Sequence, residues 1–240
     1  MRAPQSWQNR LMTEFQRFAI YHAPRDPGLA KAGAQWLGWD AVNGIASPHP
    51  TLDALPRPLA ELTETPRKYG FHATIKAPFA LAAGVTRDDL AAALAGLAQD
   101  VAPVDLAGLE VAALGNFLAL RPVGDVTALQ AMAARVVEGL EGLRAPLTPA
   151  QIAKRDPDGL SARQRDLLTR FGYPYVFEQY QMHMTLSGAL GEADRATLLP
   201  IAQAYFTPHL TRPYPMDDLC LFGEARDGRF HLIHRYALTA

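Results

Sequence analysis

KYGFHATIKAPF, residues 68 to 79, alternates polar and apolar side chains with the period of a β-strand. Successive side chains on a strand leave opposite faces, so His72, Thr74 and Lys76 are expected on one face, with Phe71, Ala73 and Ile75 on the other. The pattern returns in MHMTLS, residues 182 to 187. There His183, Thr185 and Ser187 share a face, and Met182, Met184 and Leu186 form the apolar row.

The segments downstream of the two stretches repeat as well. TRDDLAAALAGLAQD (86 to 100) has a Thr86 cap, early acids and spaced leucines and alanines, the marks of a helix. LEVAAL and NFLALRPV then read as a hairpin meeting at Gly115-Asn116, a dipeptide suited to a tight turn. After the second stretch come a helix in EADRATLLPIAQAYF (192 to 206) and two strands, DLCLFGEAR and RFHLIHRYAL, joined at Asp227-Gly228. From His72 to His183 is 111 residues, and from Gly115 to Asp227 it is 112. Strand, helix and hairpin thus recur at nearly one offset, which points to an internal duplication and an α+β fold of two pseudo-symmetric lobes.

Around this repeat, FAIYHAP (18 to 24) reads as a strand leading into a helix near GLAKAGAQWLGW, and DVTALQAMAARVVEGLEGLR as a long helix from Asp125 joining the halves. A Lys/Arg-rich helical insertion at about 146 to 172 breaks the symmetry and is placed to cover a site or meet a partner. Residues 1 to 16 read as a flexible extension, leaving 17 to 240 as a single bilobal domain.

Composition narrows the function. Of 240 residues, 23 are Lys or Arg and 24 Asp or Glu, for a net charge of -1, and the signs are mixed along the chain. This argues against a surface that grips long nucleic acid, and any bound anion is expected to be small. The single cysteine, Cys220, lies in the apolar run DLCLF and is expected to be a buried strand residue in a reducing cytoplasm. No stretch has the length and apolarity of a membrane span.

If the apolar rows are buried, both His-x-Thr rows face a common cleft holding two imidazoles. Cleaving a phosphodiester requires a proton taken from the attacking oxygen and another given to the leaving oxygen on the far side of phosphorus. Histidine serves either end near neutrality. The threonine hydroxyls can donate to non-bridging oxygens, and Lys76 is expected to add a positive charge. Two histidines also suit zinc, but a catalytic zinc usually has three protein ligands and neither stretch supplies a third; no metal or cofactor is expected.

HATI at 72 to 75 and HMTL at 183 to 186 resemble the paired signature of the two-histidine (2H) phosphoesterases, a likeness that extends over nearly the whole chain. The resemblance implies two lobes of antiparallel sheet and helices around a central groove, metal-independent catalysis by His72 and His183, and phosphate binding by Thr74 and Thr185. RFAIYHAP, KYGFHATIKAPF and FGYPYVFEQYQMHMTLSG are similar to the branch found beside bacterial phosphonate-utilisation genes. That implies a small phosphorylated or cyclic-phosphate sugar as substrate, such as a ribosyl 1,2-cyclic phosphate, and contact with phosphonate-pathway enzymes. Alternatives are a 2′,3′-cyclic phosphodiesterase or 2′-5′ ligase acting on RNA ends, and a non-catalytic phosphometabolite-binding module. Tyr21 and Tyr173, within the family-like strings, join Lys76 as expected pocket residues.

Overall fold

The computed structural model describes residues 14–155 and 159–240. Residues 1–13 of the expected extension and 156–158 of the expected insertion lie outside the described residues. The chain begins with strand β1 (Arg17–His22), helix α1 (Pro27–Leu37), a small hairpin of β2 (Trp39–Asp40) and β3 (Ile45–Ala46), and two single turns, α2 (Leu59–Leu62) and α3 (Glu64–Arg67). Strand β4 (Ala73–Phe79) is followed by α4 (Arg87–Asp100), β5 (Val104–Leu106), β6 (Leu109–Leu114) and β7 (Phe117–Pro122). Helices α5 (Thr127–Gly139), α6 (Pro149–Ala153) and α7 (Ala162–Phe171) lead to the short strand β8 (Met184–Thr185). Helix α8 (Glu192–Phe206) and strands β9 (Tyr214–Met216), β10 (Asp218–Glu224) and β11 (Phe230–Ala237) complete the fold.

The expected local signals operate. Thr86 accepts from the Asp89 amide while the Asp89 carboxylate accepts from the Thr86 amide, a reciprocal cap that starts α4. At the β6–β7 turn Gly115 has φ +59° while Asn116 is not in the left-handed region; positive φ at the first central position alone suits a type II′ hairpin. The helix expected from Asp125 is shorter, ending at Gly139 before a separate 3₁₀ turn at Glu141–Leu143.

Seven strands form one antiparallel sheet in the order β11-β10-β1-β4-β8-β7-β6. Its two sides meet at the β4–β8 junction, where the pairing is Ala73 with Met184. These residues follow His72 and His183 at equivalent positions of the repeat, so the pseudo-twofold axis passes between them. The halves of the sequence are not the halves of the sheet, however. Hairpin β6–β7, which follows the first motif, pairs through β7 with the second-motif strand β8; hairpin β10–β11, which follows the second, pairs through β10 with β1, the strand beside β4. The chain crosses between the sides at β5 and β9, and these crossovers pair with each other, Asp105 opposite Pro215. The architecture is therefore α+β with two lobes of antiparallel strands, each lobe completed by a hairpin from the other repeat.

The reverse side of the sheet is the main core. Ile20, Ile75, Leu118, Leu120, Met184 and Leu186 are buried there with Leu90 and Leu94 of α4, Val136 of α5 and Leu198 of α8. Two long-range bonds hold the second motif: the Trp36 indole donates to the Leu186 carbonyl at 2.7 Å, and the Gly188 amide donates to the Leu62 carbonyl at 2.8 Å. Phe71, immediately before His72, stacks on Phe206 and packs flat on Gly33 of α1. A methyl group on Gly33 would overlap the Phe71 ring. Gly33→Ala is therefore expected to destabilise the protein by about 1–3 kcal/mol despite alanine's better helix propensity, as read from urea unfolding midpoints.

Candidate active site

The antiparallel register at Ala73–Met184, carried one residue either way, sets His72 opposite Thr185 and Thr74 opposite His183. Opposed residues on antiparallel strands share a face, so one side of this junction presents two imidazoles and two hydroxyls in adjacent rows. Each imidazole is held in the same way. His72 Nδ1 bonds the Gly70 carbonyl at 2.9 Å, and His183 Nδ1 bonds the Gln181 carbonyl at 2.8 Å, in both cases the residue two positions upstream. A carbonyl only accepts, so Nδ1 carries the hydrogen and Nε2 is left as the basic nitrogen in each neutral ring. The Thr74 hydroxyl donates to His72 Nε2 at 3.2 Å.

Burial lowers both imidazole pKa values. For His72 the fall is to about 4, caused first by desolvation and, in the same direction, by the charge of His183, with the Gly70 bond opposing. His183 is lowered mainly by desolvation, and the nearby Arg121 guanidinium adds to this. Both rings are thus neutral at pH 7 before any anion binds.

His183 and Thr74 line a cavity of about 470 Å³ whose walls include Phe117, Tyr173, Tyr175 and Tyr180. Tyr173 thus lines it as expected; burial pushes its phenol up to about 12. Tyr173 and Tyr175 lie just beyond α7, and Gln164 of α7 adds to the lining, so the expected insertion supplies a wall of the cleft. Phe117 and Tyr180 were not singled out from sequence, although Phe117 opens the strand after the turn and Tyr180 stands three residues before His183.

Two expected contacts are corrected. Tyr21 is about 1% exposed and clusters with Phe222 and Phe230; its ring stacks on His72 at 3.7 Å between centroids. It is a wall behind the imidazole, with no face open to a ligand. Lys76 is not beside Thr74. The pairs Tyr21–Thr74 and Ile20–Lys76 leave Ile75 as an extra residue on β4, a bulge that reverses the alternation. Lys76 therefore leaves on the Ile20 side, 3% exposed, where its ammonium donates to the Val137 carbonyl at 3.0 Å and to Glu141 at 2.7 Å. Burial lowers its pKa, with the Glu141 bond acting against that.

Glu141 also pairs with Arg144, which donates to the Arg170 carbonyl at the end of α7. Cys220 is buried beside Asp218, its thiol pushed up to about 12 by desolvation. His22 belongs to the same buried group, with Nε2 2.8 Å from the Tyr214 hydroxyl. Among the described residues no group of three or more His, Cys, Asp or Glu side chains is arranged to hold a metal ion, and no helix is long and apolar enough to cross a membrane.

These environments set stability as well as chemistry. Glu141→Ala leaves the Lys76 ammonium buried with only a carbonyl partner and is expected to cost about 2–4 kcal/mol, reduced from the fully buried case by the partial exposure of Glu141; Lys76→Met, which leaves Glu141 paired with Arg144, is expected to cost less in the same urea titration. Because the folded-state pKa of His72, about 4, lies below the ordinary histidine value of 6.5, the unfolded chain takes up a proton first as pH falls. Stability is expected to drop as pH is lowered from 6.5 towards 4, and His72→Gln should shrink the difference between unfolding midpoints at pH 7 and about 4.5.

Comparison with known proteins gives the chain its relatives. Two curated proteins named ribose 1,5-bisphosphate phosphokinase PhnN are similar to it. The one from Janthinobacterium sp. (strain Marseille) is 40% identical over 194 residues, covering 78% of this chain and 42% of that protein. The one from Laribacter hongkongensis (strain HLHK9) is 37% identical over 213 residues, covering 88% of this chain and 49% of that protein. This chain thus spans less than half the length of either relative. Among solved structures, TT0787 of Thermus thermophilus aligns with a TM-score of 0.46 at 14% identity, covering 93% of this chain and 98% of that one. A structure described as a phosphoesterase aligns with a TM-score of 0.42 at 17% identity, covering 95% and 100%. These scores are too low to carry a functional argument. A family model described as a protein of unknown function, DUF1045, matches residues 74–231, more than half of the chain, and the protein belongs to that family.

Proposed function

We propose that the chain is a metal-independent phosphodiesterase that opens a small cyclic phosphodiester on a phosphorylated sugar. The observation that carries this reading is the paired geometry at the β4–β8 junction: two imidazoles with Nδ1 tied to backbone carbonyls, so that Nε2 is the basic nitrogen facing the cleft, alternating with two threonine hydroxyls on one face. A ribose phosphate is favoured because both relatives carry a name that refers to ribose 1,5-bisphosphate. The aromatic walls Phe117, Tyr173 and Tyr175 also suit a nucleoside 2′,3′-cyclic phosphate, which is the second reading.

In this mechanism the phosphodiester monoanion lies between the rings. Its negative charge raises their lowered pKa values, so that substrate binding brings in the proton that the free protein does not hold there at pH 7. The neutral imidazole takes a proton from the attacking water as the water oxygen bonds to phosphorus. The other, as imidazolium, gives its proton to the leaving sugar oxygen as the ring P–O bond breaks. The product is an open phosphomonoester. Thr74 and Thr185 donate to the non-bridging oxygens.

Ribosyl 1,2-cyclic phosphate and nucleoside 2′,3′-cyclic phosphates, assayed in parallel, test the reading. His72→Ala and His183→Ala are each expected to lower kcat/KM by about 10²- to 10⁴-fold with the folded state retained, and a chelator should change nothing. Full activity in either variant, or activity lost to chelator and restored by zinc, overturns it. Preference for the nucleoside compounds would select the second reading.

A further inference from the structure

Strand alternation alone gives the first motif its own cation, Lys76, which the bulge turns away from the cleft. A different cation stands on the site face. On β7, Ala119 pairs with Thr185 and Leu120 with Met184, so the next residue, Arg121, falls opposite His183. Cross-strand partners share a face, and Arg121 therefore leaves the sheet on the side of His183 and Thr185. Its charge acts on the His183 imidazole. Its neighbour on β6 is Glu110, yet no ion pair joins them, and among the described residues no other carboxylate pairs with this guanidinium. The corresponding place on the other lobe, across from His72, is Ala23. The pseudo-twofold symmetry is broken at this point in charge.

A second observation meets the first in space. Tyr180 is 8% exposed and its hydroxyl is buried without a hydrogen-bond partner, an uncommon state for a buried polar group. Tyr180 and Gln181 line both the large cavity that holds His183 and a smaller one of about 200 Å³ whose wall includes Arg121. Arg121 and Tyr180 therefore border one small space, and Tyr180 and Gln181 stand between it and the cavity where His183 lies.

We propose that Arg121 and Tyr180 form an oxyanion-binding subsite beside His183, donating to non-bridging oxygens of the phosphoryl group that the two histidines flank. The role rests on the reading of the cleft as a phosphodiester site. Arginine suits it because its planar guanidinium offers two parallel N–H donors and does not lose its proton. A charge on one lobe alone makes the two sides of phosphorus unequal, so that the histidines, near-equivalent in backbone, differ in what faces them.

Inorganic phosphate is the probe, titrated by calorimetry into wild type, Arg121→Met, Arg121→Lys and Tyr180→Phe, with thermal melts as a control on folding. Phosphate binding is expected to weaken at least about tenfold in Arg121→Met and to recover in part in Arg121→Lys, the range for a hydrogen bond to a charged group. Tyr180→Phe should lose severalfold. Equal phosphate affinity in wild type and Arg121→Met, or no binding by wild type, overturns the subsite. Wild type that binds phosphate through Arg121 but opens no cyclic phosphodiester upholds the subsite and refutes the hydrolase reading instead.

Discussion

The structure turns on one backbone pairing, Ala73 with Met184, where two short strands from distant parts of the chain meet at equivalent positions of a repeat. Because the residues are equivalent, this contact fixes both the join between the lobes and the arrangement of the side chains around it. A slip of one residue between the strands would send the histidine and threonine of one of them to the opposite face and separate the two pairs, since strand side chains alternate with a period of two. The junction is brief and does not hold itself. Trp36, Leu62 and the adjoining strands β1 and β7 hold it from outside, and Met184 and Leu186 seat β8 on the main core.

Polar groups around the motifs are used in two distinct ways. On the reverse side Lys76, Glu141 and Arg144 compensate one another and reach the carbonyl of Arg170 at the end of α7, tying the first motif strand to the segment that brings Tyr173. On the cleft side the polar groups are incompletely paired. The Nε2 atom of His183 accepts from no Thr185 hydroxyl, and the Tyr180 hydroxyl has no partner. Saturated polar groups serve the fold; unsaturated ones at a cavity are what a ligand can bind.

The motifs were legible because strand periodicity assigns each residue a face without any knowledge of partners, and the helix caps and hairpin turns are equally local. What failed was what depends on a neighbour. Alternation carried Lys76 to the wrong face because the bulge at Ile75 exists only in relation to β1. The nearness of Tyr21 to the site is legible but its role is not, since a stacked ring behind His72 and a ring in contact with ligand look the same in a string of letters. Arg121 is not legible because its place across from His183 is set by the register between β7 and β8, and the repeat gives no hint that a hairpin pairs with the other motif.

That exchange of hairpins has a consequence for how the molecule comes into being. Strand β4 has both its partners, β1 and β8, before β10 is made; it is β1 that gains its outer neighbour only when β10 and β11 arrive, long after it in synthesis, and β8 must await nothing that is not already made. The two motifs can thus meet while the outer edge of the first lobe, at β1, is still open. Closing so long a loop is slow. Neither lobe of the sheet is built from one repeat alone, so each is finished only after the chain has crossed from one side to the other.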